Sequence, residues 1–138
     1  MKNNKGFTLI ELLAVIVILA IIAVIATPII LGVIDDARTK AAENSAYGAL
    51  DAVKSYYATS QIGDTPVTLP ITINFGTPEA GELAGTVLSM SGTKPTAGTI
   101  TLATTGAFTV GTALTISVSG TNYSCSYASN EFTCAKAA

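Results

Sequence analysis

Histidine is absent from this chain, and charged residues are scarce. None of the 138 residues is His, and only 12% are Asp, Glu, Lys or Arg, against roughly a quarter in an ordinary soluble domain. Without imidazole, histidine-ligated metal sites, Ser-His and Cys-His nucleophile pairs and a histidine general base are excluded. As separate expectations, we predict no catalytic residue, no metal and no cofactor. The shortage of charge argues against a freely soluble globule.

The balance of charge is also weak. Seven Lys and Arg against nine Asp and Glu give a net charge of -2, whereas nucleic-acid binding depends on a strongly basic surface. No nucleic-acid partner is predicted. Since 49% of the residues are hydrophobic and the length suits one compact domain, part of the chain must lie outside that domain.

The hydrophobic residues are concentrated near the amino terminus. Leu12–Ile34 carries no charge, and as a helix it is about 35 Å long, enough to cross a hydrocarbon core of about 30 Å. Lys2 and Lys5 precede this run, and Asp35 and Asp36 follow it. The positive-inside rule then places the amino terminus in the cytoplasm and the rest of the chain outside.

A cleaved secretory signal peptide is the alternative for this segment, with Val24–Ala26 as a small-residue cleavage site. Glu11 argues against it, because a carboxylate in a membrane-spanning segment is costly and usually has a partner or a purpose. The helical pattern also continues past Ala26 toward Ser60. We therefore expect the segment to be retained.

The helix is expected to become amphipathic after the apolar run and to end near Ser60, before Gly63 and Pro66. Its apolar residues then recur at spacings of three and four, which places them on one face. This stripe consists of Ile30, Ile34, Ala37, Ala41, Ala42, Ala46, Ala49, Val53 and Tyr57. Starting from Phe7, such a helix is about 80 Å long, so half of it must be buried by something other than this chain. Pro28 and Gly32 predict a kink.

The remainder, residues 61–138, is rich in Thr, Ser and Gly and has short alternating apolar runs, typical of antiparallel strands with one solvated face. The runs are Val67–Phe75, Thr86–Met90, Thr99–Ala103, Ala107–Val110 and Leu114–Val118. The stripe on the second half of the helix would cover this small sheet. The predicted fold class is therefore α+β, one long amino-terminal helix packed on an antiparallel sheet.

Both cysteines lie in the last segment. If Ser129 and Asn130 form a two-residue turn, Cys125 lies directly opposite Cys134, and a cross-strand disulfide follows. Such a bond would contribute about 2 to 3 kcal/mol. A pair of free buried thiols remains the alternative, and zinc would need more ligands than the chain offers.

The segment Lys5–Glu11, followed at once by the charge-free run and Pro28, resembles the class III signal of type IV pilins. The resemblance is specific from Met1 to about Ser60. It implies that a prepilin peptidase cleaves between Gly6 and Phe7 and methylates the new amino terminus of Phe7. The implied organisation is a leader (1–6), a membrane-spanning and filament-core half of the helix (7–34), an amphipathic half (35–60) and a β-rich head (61–138).

The pattern has a physical rationale in assembly. Cleavage creates an ammonium group on Phe7, with an ordinary pKa near 8, and methylation leaves it cationic. In helices that pack with an axial stagger, Glu11 of one copy can meet Phe7 of the next, which offsets the desolvation of both ions and sets the register. A contact of this heterologous kind generates a helical homopolymer. Unlike many pilins, this chain has no glycine in the first half of the span.

The resemblance implies a structural subunit of a type IV pilus, not an enzyme, serving adhesion, twitching motility or aggregation. Its implied partners are copies of itself, prepilin peptidase, an assembly platform protein and assembly ATPases. The precursor would lie in the inner or cytoplasmic membrane, and the assembled pilus would be extracellular. Two alternatives are a pseudopilin of a type II secretion or DNA-uptake system, which shares this first half, and a minor adhesin at a filament tip.

Overall fold

The computed structural model describes residues 6–138. One α-helix, α1, spans Leu9–Ser60 and ends where the periodicity predicts. The strands follow in the order β1 (Ile71–Asn74), β2 (Leu83–Ala84), β3 (Thr99–Leu102), β4 (Phe108–Val110), β5 (Leu114–Val118), β6 (Thr121–Ala128) and β7 (Glu131–Lys136). A 3-10 helix, Gly85–Val87, follows β2 directly. The predicted α+β class is confirmed.

The strands form two sheets with the orders β2-β1-β3-β4 and β5-β6-β7. Pairing is antiparallel as expected, except between β1 and the two-residue β2, which run parallel. An isolated antiparallel bridge between Ala97 and Thr115 connects the two sheets. At this junction Gly98 has φ +106°, and an added Cβ would lie 2.6 Å from the Ala113 carbonyl oxygen. Glycine is therefore required there by both conformation and space.

The chain divides into two compact units after Asp36. In the second unit, Ala37–Ala138, the carboxyl-terminal part of α1 covers the inner faces of the sheets. Small side chains dominate the buried helix face. The buried helix residues are Ala42, Ala46, Ala49, Leu50, Ala52 and Val53. The largest fully buried strand residues are Ile73, Ile100, Leu114 and Ile116.

The predicted stripe is confirmed only in part. Its members from Ala42 to Val53 are buried, and Tyr57 packs against the core. Ile30, Ile34 and Ala37, however, are exposed. All three precede Ala42, the first buried residue of the helix.

The strand predicted at Thr86–Met90 is wrong. Gly85–Val87 is a 3-10 turn, closed by a hydrogen bond from the Leu88 amide to the Gly85 carbonyl (3.3 Å). Leu88 is extended, and residues 88–90 belong to no strand. Leu88 is buried and Met90 packs against the core. These two side chains are therefore covered without a strand partner, whereas Val87 is exposed.

Candidate functional site

The residues before α1 are exposed and not helical. Gly6, Phe7 and Thr8 have no regular secondary structure, and the Phe7 side chain is 82% exposed. Among the described residues, no atom lies within 4 Å of a Cβ added at Gly6. Nothing in the described part of the chain therefore requires a glycine at this position.

Thr8 caps the amino terminus of α1. Its carbonyl oxygen accepts the hydrogen bond of the Leu12 amide (3.3 Å), and its hydroxyl oxygen accepts that of the Glu11 amide (3.3 Å). The first amides of a helix have no intrahelical partner, and a threonine at this position satisfies one of them. The helix start at Leu9 is thus set by a side chain directly beside the predicted cleavage position.

Glu11 completes the cap. Its Oε2 atom accepts hydrogen bonds from the Thr8 amide (2.9 Å) and from the Thr8 hydroxyl (2.7 Å). This reciprocal arrangement is a capping box, in which threonine and glutamate three residues apart satisfy each other's amides. This role of Thr8 is not among the sequence predictions, although a Thr-x-x-Glu pattern ahead of an apolar run is its recognised signal.

The first half of α1 is an uncovered apolar surface. All large apolar side chains from Leu9 to Val33 are between 47% and 82% exposed. Among the described residues, α1 is the one helix that is long and apolar enough to cross a membrane. None of the residues in its most apolar stretch is buried. An exposed apolar surface of this size needs a lipid or protein environment.

The helix continues without interruption through Pro28 and Gly32. Proline has no amide hydrogen, so the Val24 carbonyl loses its usual helical donor. Next to it, the Thr27 hydroxyl donates to the Ala23 carbonyl oxygen at 2.6 Å. Hydroxyls that bond back to the preceding turn often bend helices. These features support the kink predicted at Pro28 and Gly32, which stays a prediction.

The two cysteines form the expected disulfide. Cys125 in β6 pairs with Cys134 in β7, with 4.0 Å between their Cα atoms. Ser129 and Asn130, both at positive φ, form the two-residue turn. The predicted register is confirmed, and both half-cystines are buried in the core. The alternative of free thiols is excluded.

Charged side chains of the second half of α1 lie on its outer surface. Lys40 Nζ lies 2.7 Å from Glu43 Oε2, and this hydrogen bond, reinforced by the charge of Glu43, raises the pKa of Lys40. Lys54 pairs with Asp51 at 3.4 Å and lies 5.3 Å from the centre of the Phe108 ring. Within residues 6–138 no group of three or more Cys, Asp or Glu side chains is placed to hold a metal ion.

The amino-terminal segment matches a known family. Residues 1–27 match the family described as "Prokaryotic N-terminal methylation motif". No curated protein and no solved structure matches the chain. The match covers the capping box and most of the exposed apolar segment, and it supports a prepilin or pseudopilin of the type IV pilin kind. The chain thus carries the prokaryotic N-terminal methylation motif, the class III signal of type IV pilins, on an α+β protein with a pilin-like arrangement.

Proposed function

We propose that the chain is the structural subunit of a type IV pilus filament, made as a membrane-anchored prepilin. The observation that carries this proposal is the uncovered apolar helix surface from Leu9 to Val33. Glu11 is the only charged residue between Phe7 and Ile34. A surface that is apolar on all sides suits lipid before assembly and neighbouring helices afterwards.

Processing is the first step. Prepilin peptidase cleaves the peptide bond between Gly6 and Phe7 and methylates the Phe7 amine. The exposure of both residues supports this assignment.

Assembly follows from the new charge. The Phe7 ammonium of one copy pairs with the Glu11 carboxylate of the next, within a staggered bundle of apolar helices. A carboxylate offers about four lone-pair sites, and Thr8 uses two of them at Oε2. Glu11 therefore keeps acceptor capacity for a neighbour while it caps its own helix. Repetition of this heterologous contact builds a helical homopolymer.

The precursor crosses the inner or cytoplasmic membrane once. Lys2 and Lys5 precede the span, and Asp35 and Asp36 follow it, which favours a cytoplasmic amino terminus. A platform protein and cytoplasmic ATPases then extract subunits into the filament. The disulfide-bonded head lies outside the cell, where disulfides persist. The filament serves adhesion, twitching motility or aggregation.

A pseudopilin of a secretion or DNA-uptake system is the second candidate, because the match covers only residues 1–27. The head favours the pilin: it carries a disulfide near the carboxyl terminus, and the described residues hold no acidic cluster suited to a metal ion. A minor tip adhesin is the third candidate. Abundance distinguishes it, since an adhesin would be a trace component of purified fibres.

Mass spectrometry of the mature chain, combined with electron microscopy of sheared cell-surface fibres, tests the proposal. We expect an amino-methylated Phe7 at the amino terminus and fibres composed mainly of this chain. A mature chain beginning at Thr27 would identify a secretory signal peptide instead. Correct processing without extended surface fibres would favour a pseudopilin.

A further inference from the structure

We infer that Thr8 is a positioning residue for proteolytic processing: its cap stops the helix at Leu9 and keeps the Gly6–Phe7 bond out of the helix. The inference rests on the proposed function, because it concerns the peptide bond that prepilin peptidase is proposed to cleave. The inference adds to the proposed function a role for Thr8 before cleavage, which is distinct from the charge pairing assigned to Glu11.

The cap competes directly with the hydrogen bonds of a longer helix. In a helix that continued toward the amino terminus, the Glu11 amide would donate to the Phe7 carbonyl, and the Thr8 amide would donate to the Asn4 carbonyl. In the structure the Glu11 amide donates to the Thr8 hydroxyl, and the Thr8 amide donates to Glu11 Oε2. Both amides needed for extension are therefore diverted to side chains.

The sequence ahead of Thr8 shows why a stop is needed. Asn3 and Asn4 lie upstream, and asparagine is among the preferred residues at a helix amino terminus. Without the cap at Thr8, a helix of this strength could begin there and enclose Gly6 and Phe7. Gly6 opposes such an extension by about 1 kcal/mol at most, which is no more than the cap itself contributes.

The conformation of the scissile bond matters for cleavage. In a helix, the amide and carbonyl groups around a peptide bond are engaged in hydrogen bonds, and neighbouring turns shield it. Enzymes that bind an extended peptide use those same backbone groups for recognition. Gly6 and Phe7 are exposed and outside the helix in the structure, which is the form that an extended-substrate site accepts.

The test uses the full-length prepilin in phospholipid vesicles with purified prepilin peptidase, and mass spectrometry follows the loss of residues 1–6. Thr8→Val keeps the shape but removes the hydroxyl acceptor, and Thr8→Ser is the conservative variant that restores it. Backbone chemical shifts of residues 6–8 report where the helix begins. We expect Thr8→Val to slow cleavage by roughly two- to thirty-fold, the factor that corresponds to losing a cap, with helical shifts at Phe7, and Thr8→Ser to behave as the parent chain.

Asp51→Asn is the matched control, because it removes an exposed carboxylate on the same helix that takes no part in the capping box. We expect this variant to be cleaved at the parent rate. Thr8→Val cleaved at the parent rate would overturn the inference, and so would slow cleavage with the helix still beginning at Leu9. If the parent chain is not cut after Gly6 at all, the proposed function itself fails, and the inference fails with it.

Discussion

The Tyr47 hydroxyl on α1 accepts a hydrogen bond from the Phe132 backbone amide on β7, 85 residues further along the chain, at 3.1 Å. The two rings meet edge to face, with 5.1 Å between their centres. β7 lies at the edge of its sheet, where backbone groups lack a neighbouring strand. One tyrosine thus satisfies an edge amide and ties the disulfide-bonded hairpin to the helix.

Tyr47→Phe tests this tie. The variant keeps the ring contact and removes only the acceptor, so we expect a loss of about 1 kcal/mol in unfolding free energy and faster hydrogen exchange at the Phe132 amide. NMR on the full chain in detergent micelles measures the exchange. Tyr56→Phe is the control, because the Tyr56 hydroxyl has no such bond to Phe132. Unchanged exchange at Phe132 in Tyr47→Phe would contradict the tie.

The disulfide should be a main source of stability for the small head. Replacing Cys125 and Cys134 together by serine is expected to lower the unfolding free energy by about 2 to 3 kcal/mol, because the unfolded chain regains the freedom of its closed loop. Thermal unfolding followed by circular dichroism measures the change. Reduction of the parent chain provides the control and should give a similar shift. Equal melting temperatures with and without the bond would refute this prediction.

Glu11→Gln should abolish filaments without preventing membrane insertion. The substitution removes the charge that we propose pairs with the neighbour's Phe7 ammonium, and an unpaired buried charge costs about 3 to 5 kcal/mol. Electron microscopy and the yield of sheared fibres measure assembly. Asp51→Asn is the control, because Asp51 is an exposed carboxylate on the same helix (74%). Normal fibre length and yield from Glu11→Gln would rule out the pairing.

Gly98→Ala should destabilise the head more than Gly106→Ala. Both glycines have positive φ, so both variants incur backbone strain of about 1 to 3 kcal/mol. Only at Gly98 would the new Cβ also meet backbone atoms, 2.6 Å from the Ala113 carbonyl oxygen, whereas Gly106 faces open space. Chemical denaturation of the two variants measures the difference. Equal losses would mean that the junction between the sheets is not tightly packed.

The loop between β1 and β2 should loosen in acid. Glu82 Oε2 accepts hydrogen bonds from the Glu79 amide (2.9 Å) and the Asn74 side chain (2.8 Å), and these bonds lower the pKa of Glu82, the Glu79 amide contributing most. A lowered pKa means that the stabilisation is present above the ordinary glutamate pKa and is lost as pH falls through the folded value. NMR titration of the Glu82 carboxyl carbon, with hydrogen exchange at the Glu79 amide, measures both effects. In Glu82→Gln, hydrogen exchange at the Glu79 amide should change with pH only as it does for any exposed amide. An additional change in acid would mean that a group other than Glu82 is responsible.

Local chemistry explains which predictions succeed. The β6–β7 register follows from one two-residue turn, because strand side chains alternate with a period of two and every later pair is then determined. The end of α1 at Ser60 and the burial from Ala42 to Val53 follow from helical periodicity in the same way. The capping box of Thr8 and Glu11 is equally local, because its two residues are three positions apart.

Other features depend on contacts between distant segments. Leu50 and Ala52 are buried in addition to the predicted stripe, because the head contacts a wider face of the helix than its spacing indicates. The alternation at Thr86–Met90 predicts a strand, but Leu88 and Met90 pack against the core without a strand partner. The parallel pairing of β2 with β1 likewise has no local signal.

The sequence by itself determined the long apolar helix, the methylation motif of residues 1–27, the single carboxylate at Glu11 and the disulfide-bonded hairpin, because each depends on residues close together in the chain. Only the tertiary structure decided how the strands divide into two sheets, which helix residues they cover, and that Tyr47 binds the edge of β7. Those outcomes depend on which apolar faces pack without gaps. The faces belong to segments that are far apart in the sequence and meet only in the folded chain.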